Sequence, residues 1–480
     1  MNKLSWIWIS FFLFTGPLLA FQDQAERLFN NAATFYGAGK YKEALADYQR
    51  IVEDFPTSGW ADKALLEIGH YYLNVEGDTG KAMGFYERIQ GQYSTSESAP
   101  AAYYWKAFII DQTAQTINEL EVAIADLIRM LNLYGDTDWN DGALFLLGKL
   151  NLKAGSDQQA LSYFQRLEFG YPNSRFAPEG LLFSAQITHR IQGAKPALLI
   201  ITRIQRNYPS TPQARISEDY ARALTKFVTS EPTYTLDSSF AGNAPKRYNN
   251  PTKIAASKEG LIAILESKGL SFVALGDVPN PNPPNVREVV NFSRDAKGGL
   301  LLVFENRLTD LNGKAFGNNL SANGSALRKI KGAAVDMMGR IYVIDDDSRD
   351  VLVFDANGAY LKALGINKAK SLYATRNGVA VVPGDANSVI LFDGNLNRSG
   401  AMAAGVRDIE QICFDDLGNL FVLCERGAKI MIGDAQGNLK GAIQLKNGTL
   451  PLKEAEDIAV DRSGALYISD RRGGSVYRLH

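Results

Sequence analysis

The chain reads as a multidomain α and β protein, an all-α helical solenoid followed by an all-β six-bladed propeller, and three observations predict it. Six glycines, Gly260, Gly299, Gly339, Gly378, Gly418 and Gly464, recur through the C-terminal half at gaps of 39, 40, 39, 40 and 46 residues. The N-terminal half carries another period, with Phe55-Pro56, Tyr93-Ser94, Tyr134-Gly135, Tyr171-Pro172 and Tyr208-Pro209 spaced by 38, 41, 37 and 37 residues. Between the two lies a stretch from Ser230 to Pro251 rich in Ser, Asn, Gly and Pro, which marks a boundary. A period near 40 suits either a blade of short strands or a pair of packed helices, and the local pattern decides which.

The first element is a targeting segment. Lys3 precedes an uncharged apolar run from Leu4 to Ala20, so residues 1–20 read as a secretory signal cleaved after Ala20. Retention as an N-terminal anchor is the alternative, although the run is shorter than the ~20 residues that span a bilayer. No cysteine follows it, which argues against a lipid anchor of the bacterial lipoprotein kind.

Residues 21–230 form the helical part. Gly39, Gly77, Gly155 and Gly193 interrupt paired amphipathic stretches, as glycine does at a helix end, and the prolines fall beyond helices. Small and aromatic residues recur in step: Ala32, Phe35, Ala44, Tyr48 and Pro56 in the first unit, Leu147, Gly148, Ala160, Phe164 and Pro172 in the fourth, Ala185, Ala197 and Pro209 in the fifth. Small residues let helices approach and aromatics fill the gap between them. On these positions the region resembles the tetratricopeptide (TPR) family, as about five lengthened repeats with a capping helix near Gln213 to Val228. The resemblance implies a concave groove lined by the first helix of each pair. It nominates as partner-binding residues Phe29 and Tyr36 in the first unit, His70 in the second, Lys149 and Lys153 in the fourth, and Gln186, His189 and Arg190 in the fifth. A cationic end of such a groove would take an acidic segment or a C-terminal carboxylate of a protein partner.

Residues 231–480 form the propeller. Each recurring glycine opens an apolar strand after a turn, as in Ala334-Val-Asp-Met-Met-Gly-Arg-Ile-Tyr-Val-Ile-Asp345 and Ile458-Ala-Val-Asp-Arg-Ser-Gly-Ala-Leu-Tyr-Ile-Ser-Asp470. Glycine supplies the positive φ of a tight hairpin, and the β-branched and aromatic flanks suit a pleated surface. A third strand follows in Val351-Leu-Val-Phe-Asp355. Most clearly over Ala334 to Gly358, the repeats resemble the NHL-type propeller family. The last repeat stops at His480, short of a fourth strand, so Tyr234 to Phe240 are expected to complete it and remove an exposed sheet edge. A proline-rich loop, Val278 to Asn285, reads as extended and exposed between the first two blades.

Candidate chemistry is sparse. Glu266, Glu305, Asp345 and Asp470 stand six residues after their blade glycines, where a ring of carboxylates could hold calcium. The favoured reading is that each accepts backbone N–H groups in its own turn, so neither a metal nor a cofactor is assigned. The propeller has one histidine, His480, against the histidine-dependent lyases of this architecture. No serine-histidine-aspartate arrangement or phosphate-cradling loop is present. Cys413 and Cys424 flank one hairpin as diagonal neighbours at best, or on opposite faces if the turn shifts register, a spacing wider than a disulfide favours; two buried thiols are the favoured expectation and a structural disulfide the alternative.

Composition sets the remaining bounds. With 46% hydrophobic and 21% charged residues, a net charge of −1 and no run of lysine or arginine, the chain lacks the electrostatics of a nucleic-acid binder. The sequence therefore reads as a non-enzymatic, periplasmic or secreted scaffold that binds proteins or peptides in bacterial envelope complexes. The alternative is a calcium-dependent ligand- or carbohydrate-binding propeller with lactonase-like hydrolysis.

Overall fold

The computed structural model describes residues 24–480 apart from 229–231, 245, 276–280, 282–285, 318, 377, 404, 436 and 447–450. The signal-like residues 1–20 and nearly all of the proline-rich loop lie outside this set. Among the described residues eleven α-helices precede the strands: α1 (24–37), α2 (Tyr41–Asp54), α3 (Ala61–Tyr71), α4 (Thr79–Gln92), α5 (Ala99–Thr113), α6 (Ile117–Leu133), α7 (Asn140–Lys153), α8 (Asp157–Gly170), α9 (Ala177–Gln192), α10 (Ala194–Asn207) and α11 (Pro212–Lys226).

The alanines of the repeat pattern make close helix approach possible: Ala32, Ala44, Ala160, Ala185 and Ala197 are wholly buried. Gly69 in α3 meets the wholly buried Tyr86 of α4, and a methyl group there would collide with its ring. The recurrent tyrosines tie each repeat to the one before it. Tyr93, Tyr134 and Tyr208 follow the last residues of α4, α6 and α10, and their hydroxyls donate to Pro56, Ser94 and Pro172 carbonyls one repeat back, at 2.7, 2.7 and 2.8 Å. Each tyrosine thus satisfies a carbonyl that the preceding turn leaves without an intrahelical partner.

Among the described residues, the C-terminal region contains six antiparallel sheets of three or four strands in chain order, with a two-stranded hairpin of Ser321–Ala322 and Ser325–Ala326 between the second and third. The third, fourth and fifth have four strands each, and the first, second and sixth have three among the described residues. Their first strands, Lys253–Ala256, Asn291–Arg294, Ile330–Val335, Ser371–Thr375, Gln411–Phe414 and Ala455–Val460, neighbour one another in sequence order, and the last returns to the first. This cycle closes through residues before the first sheet. Thr235 and His480 exchange both backbone hydrogen bonds, Asp237 N–H donates to the Arg478 carbonyl, and Leu236 opposes Leu479. The edge left by the short last repeat is thereby covered, and Thr233–Tyr234 pair in parallel with Gln444–Leu445 of the preceding repeat.

The hairpin turns rest on a motif that the glycine count alone does not expose. Asp295, Asp336, Asp415 and Asp461 each stand three residues before a glycine and accept two backbone N–H groups, two and four residues on, at 2.8–3.1 Å. Ser257 does so in the first sheet. The fourth sheet departs, because Thr375 pairs directly with Gly378, whose φ is +141°, and Arg376 stands in its hairpin.

Packing divides the chain into two compact units, Met1–Thr113 with Glu119–Leu150, and Ala114–Asn118 with Asn151–His480. The division falls inside the helical array, not at the helix-to-strand transition near residue 230. Helices α8–α11 belong with the sheets. Leu417, in the hairpin of the fifth sheet, is almost wholly buried in one cluster with Leu181, Leu182, Ile201, Ala223 and Leu224. Gly464 of the sixth sheet lies so close to Ala223 that a Cβ there would stand 3.0 Å from its Cα.

Candidate functional site

In the first unit, the groove positions form a partly exposed aromatic row. Phe29 lies edge-on to Tyr48 with centroids 5.3 Å apart and 4.9 Å from Trp60, and Tyr36 lies edge-on to Tyr41 at 5.0 Å. Burial, then Tyr41 and Glu67, push the Tyr36 hydroxyl above its ordinary pKa. His70 lies edge-on to Trp105 at 5.1 Å, and Trp105 in turn meets Phe108 at 5.4 Å and Trp139 at 6.2 Å. The His70 Nδ1 stands 3.6 Å from the Glu67 carboxylate. Phe29, Tyr36, His70, Trp60, Trp105, Phe108 and Trp139 are all half-buried, so each keeps a surface that the core does not use.

The cations near this row are engaged within the unit. Lys149 Nζ lies 2.7 Å from the carboxylate of Asp111, which is almost wholly buried. Lys106 bridges Glu87 at 3.0 Å and Asp126 at 3.2 Å. A buried carboxylate demands a partner, so Lys149 belongs to the structure of the unit before it can belong to a ligand.

In the second unit, Gln186, His189 and Arg190 make internal contacts. His189 is 3% exposed, and its Nε2 lies 2.8 Å from Asn419 Oδ1. Asn419 Nδ2 donates to Asp415 at 2.8 Å, which orients the amide and makes the histidine the donor, a neutral imidazole protonated on Nε2. Burial holds the His189 pKa below its usual value, against the opposing effect of Asn419. Burial also pushes the Asp415 carboxyl up to about 7, opposed by hydrogen bonds from Asn419. Gln186 accepts from Arg376 at 2.8 Å and donates to the Tyr220 hydroxyl at 2.6 Å. Burial, and then the nearby Arg190, depress Arg376 to about 10 against the opposing pull of Asp157 and Asp416. Arg190 clasps Asp157 with two bonds of 2.8 and 2.6 Å. The expected cationic groove end is therefore corrected. The sheet hairpins occupy the α9 face where Gln186 and His189 stand, and Arg190 is neutralised by Asp157. Lys153 is half-buried at the end of α7.

Of the four carboxylates, Asp345 and Asp470 accept backbone N–H groups within their own turns, whereas Glu266 and Glu305 do not. Asp470 accepts from Lys453, Glu454 and Gly473 N–H groups at 2.9–3.1 Å, and Asp345 accepts from Ser348 at 2.7 Å. Glu266 takes Asn249 N–H at 2.7 Å and the Ser271 hydroxyl. Glu305 carries no side-chain bond of this kind, and its main-chain carbonyl accepts from Ile330 at 2.9 Å. Among the described residues no group of three His, Cys, Asp or Glu side chains is placed to hold a metal. Both cysteines are free, buried thiols.

The axis of the sheet cycle is narrow and polar. Side chains bridge neighbouring first strands there: Asn291 to the Lys331 carbonyl at 2.8 Å, Ser293 to that of Ala333 at 2.7 Å, Ser371 to Gln411 at 2.7 Å, and Asp457 from Ile254 N–H at 3.0 Å. The remaining space is ~70 Å³. That admits a few water molecules, whereas ligand clefts run to several hundred Å³.

Comparison with known proteins agrees with the helical reading. Residues 21–181 match the family described as YfiO, outer membrane lipoprotein. No curated protein matches. Among solved structures, the chain is similar to the WD40 β-propeller domain of Doa1, at 12% identity over 51% of this chain and 96% of that one, with a TM-score of 0.37. It is also similar to YrrB, a TPR protein with an unusual peptide-binding site, at 17% identity over 42% and 97%, TM-score 0.31. A protein of unknown function from Bacteroides caccae aligns at 16% identity over 44% and 85%, TM-score 0.32. Residues 21–181 are thus similar to the YfiO family, and an all-β region of successive antiparallel sheets follows the helices.

Proposed function

We propose that this chain is an exported, non-enzymatic scaffold of the bacterial envelope, in which the first unit binds an extended segment of a partner protein. The observation that carries the reading is the half-exposed row Phe29, Trp60, His70, Trp105 and Phe108 beside cations already paired internally. Such a row favours an aromatic or aliphatic peptide over an acidic one, because rigid aromatic anchors contribute most of the energy at protein interfaces. The family match over residues 21–181 supports an envelope setting, and the narrow axis supports a propeller that acts as a platform. We further propose six blades of the NHL kind, spanning 231–480 after a helical region of 21–230.

The test uses the full chain, because α8–α11 pack with the sheets. The chain captures proteins from an envelope extract, and the experiment is repeated with His70→Ala and Trp105→Ala. A saturable partner that is lost in both folded variants supports the groove. Retention of every captured protein by folded variants would overturn it.

A further inference from the structure

The outer faces of α8 and α10 combine cations with exposed apolar side chains. Residues 151–228 contain ten Lys and Arg against five Asp and Glu, whereas the described residues of the first unit contain ten against eighteen. In α10, Ala197, Ile200, Ile201 and Ile204 face inward, leaving Lys195, Leu199, Thr202 and Arg206 exposed at helical spacing on the opposite side. In α8, Arg166 and Phe169 are exposed in the same way. An ion pair between Glu168 and Arg203, at 3.4 Å, sets the two helices side by side, and the Tyr208 hydroxyl ties their ends by bonding Pro172.

Phe169 and Leu199 are 74% and 71% exposed, more than any other large apolar side chain described. Arg166, Lys195, Arg206 and the exposed Arg175 of the α8–α9 loop form no ion pair among the described residues, although Arg166 and Arg175 lie over the rings of Tyr163 and Phe176.

We propose that this face docks on an anionic membrane surface, with Arg166, Arg175, Lys195 and Arg206 against the headgroups and Phe169 and Leu199 inserted at the headgroup boundary. Charge complementarity selects the occupant: uncompensated cations flank two isolated apolar projections, the combination by which interfacial helices hold to anionic lipid. An acidic protein would satisfy the cations and leave the two projections in water.

The experiment measures co-sedimentation of the full chain with vesicles of phosphatidylcholine alone and of phosphatidylcholine mixed with phosphatidylglycerol. Each variant is compared with the unchanged chain, so that residues 1–20 contribute equally. Binding is expected to favour the anionic vesicles, to weaken with salt, and to fall about fivefold for each cation removed. Lys195→Glu with Arg206→Glu should therefore abolish the preference while leaving the melting temperature in place. Phe169→Trp should add blue-shifted emission on anionic vesicles only. Equal binding to both vesicle types, or an unchanged preference in the folded charge-reversed variant, would overturn the proposal. So would tight binding to poly-glutamate with no shift at position 169 on anionic vesicles, which would assign the face to an acidic protein.

Discussion

His189 in α9 and Asn419 in the hairpin of the fifth sheet, 230 residues apart in sequence, share a buried 2.8 Å hydrogen bond. The contact ties a helical repeat to a sheet turn, and Asn419 passes it on to Asp415, which holds that turn in shape. His189→Ala leaves the Asn419 oxygen without its donor in a dry site. The expected loss of stability is about 1–3 kcal/mol, read from denaturant unfolding. An unchanged midpoint would mean that the bond is not maintained in solution.

The same pair gives opposing pH trends. His189 is held neutral in the fold, so below the ordinary histidine range the unfolded chain binds the extra proton and stability falls as pH drops. Asp415 behaves oppositely. Its folded pKa of about 7 lies above the unfolded carboxylate value, so the folded chain binds the extra proton, and its contribution to stability declines as pH rises from about 4 to 7. The two slopes oppose each other just below the ordinary histidine pKa. Asp415→Asn, which keeps an acceptor for the turn, should expose the histidine slope, with stability falling from pH 7 to 5 more steeply than in the unchanged chain. A shallower slope in that variant would contradict the assignment.

Much of this architecture is legible in the sequence, and the exceptions share a cause. The tyrosine-proline period locates the helix ends because Tyr93, Tyr134 and Tyr208 hydrogen-bond one repeat back, so their spacing is a structural requirement. The glycines locate the hairpins because Asp295, Asp336, Asp415 and Asp461 build a turn that ends in positive φ; Gly298, three residues after Asp295, takes that role in the second sheet, next to the counted Gly299. The closing segment follows from a last repeat that is one strand short. The role of His189 and Gln186 was hidden, since their repeat positions are solvent-facing in an isolated solenoid and nothing local reveals that sheets dock there. Two signals were present: Leu417 is an apolar residue within a turn, and Arg376 replaces the aspartate turn of the other sheets. Both lie at the contact with the helices.

Lys149 illustrates how a groove candidate can mislead a binding assay. Changing it to Glu would set a second carboxylate beside the buried Asp111. Removing one partner of such a pair costs about 3 kcal/mol or more, so Lys149→Glu should lower the melting temperature sharply. Lys149→Glu with Asp111→Lys should recover part of the loss. A fully stable Lys149→Glu chain that still lost its partner would return Lys149 to the binding surface.

The two cysteines should be chemically silent in the fold. Burial raises the Cys413 thiol well above its ordinary pKa and pushes Cys424 up to about 11, so little thiolate exists at neutral pH. Register keeps them apart as well, because Cys413 opposes Phe421 and Cys424 opposes Lys429. A thiol reagent should label neither residue in buffer and both in denaturant, and a reductant should leave the melting temperature unchanged. Rapid labelling of the native chain would show that the fifth sheet opens readily.

Closure of the sheet cycle rests on few residues, which makes it the most direct mechanical test of the fold. Leu479 is wholly buried, opposes Leu236, and precedes the His480 that exchanges two bonds with Thr235. Leu479→Ala should cost about 2–5 kcal/mol from the cavity alone. Removing Arg478 to His480 should do more, because it also frees the partners of the three closing backbone bonds, unpairs Leu466 and Tyr467 in the sixth sheet, and strips Asp237 of its Arg478 ion pair at 2.9 Å. If closure holds the cycle together, hydrogen exchange in the truncated chain should accelerate first in the sixth and first sheets and leave the third and fourth protected. Uniform acceleration across all sheets would instead mean that the cycle unfolds as a single cooperative body with no weak seam at its closure.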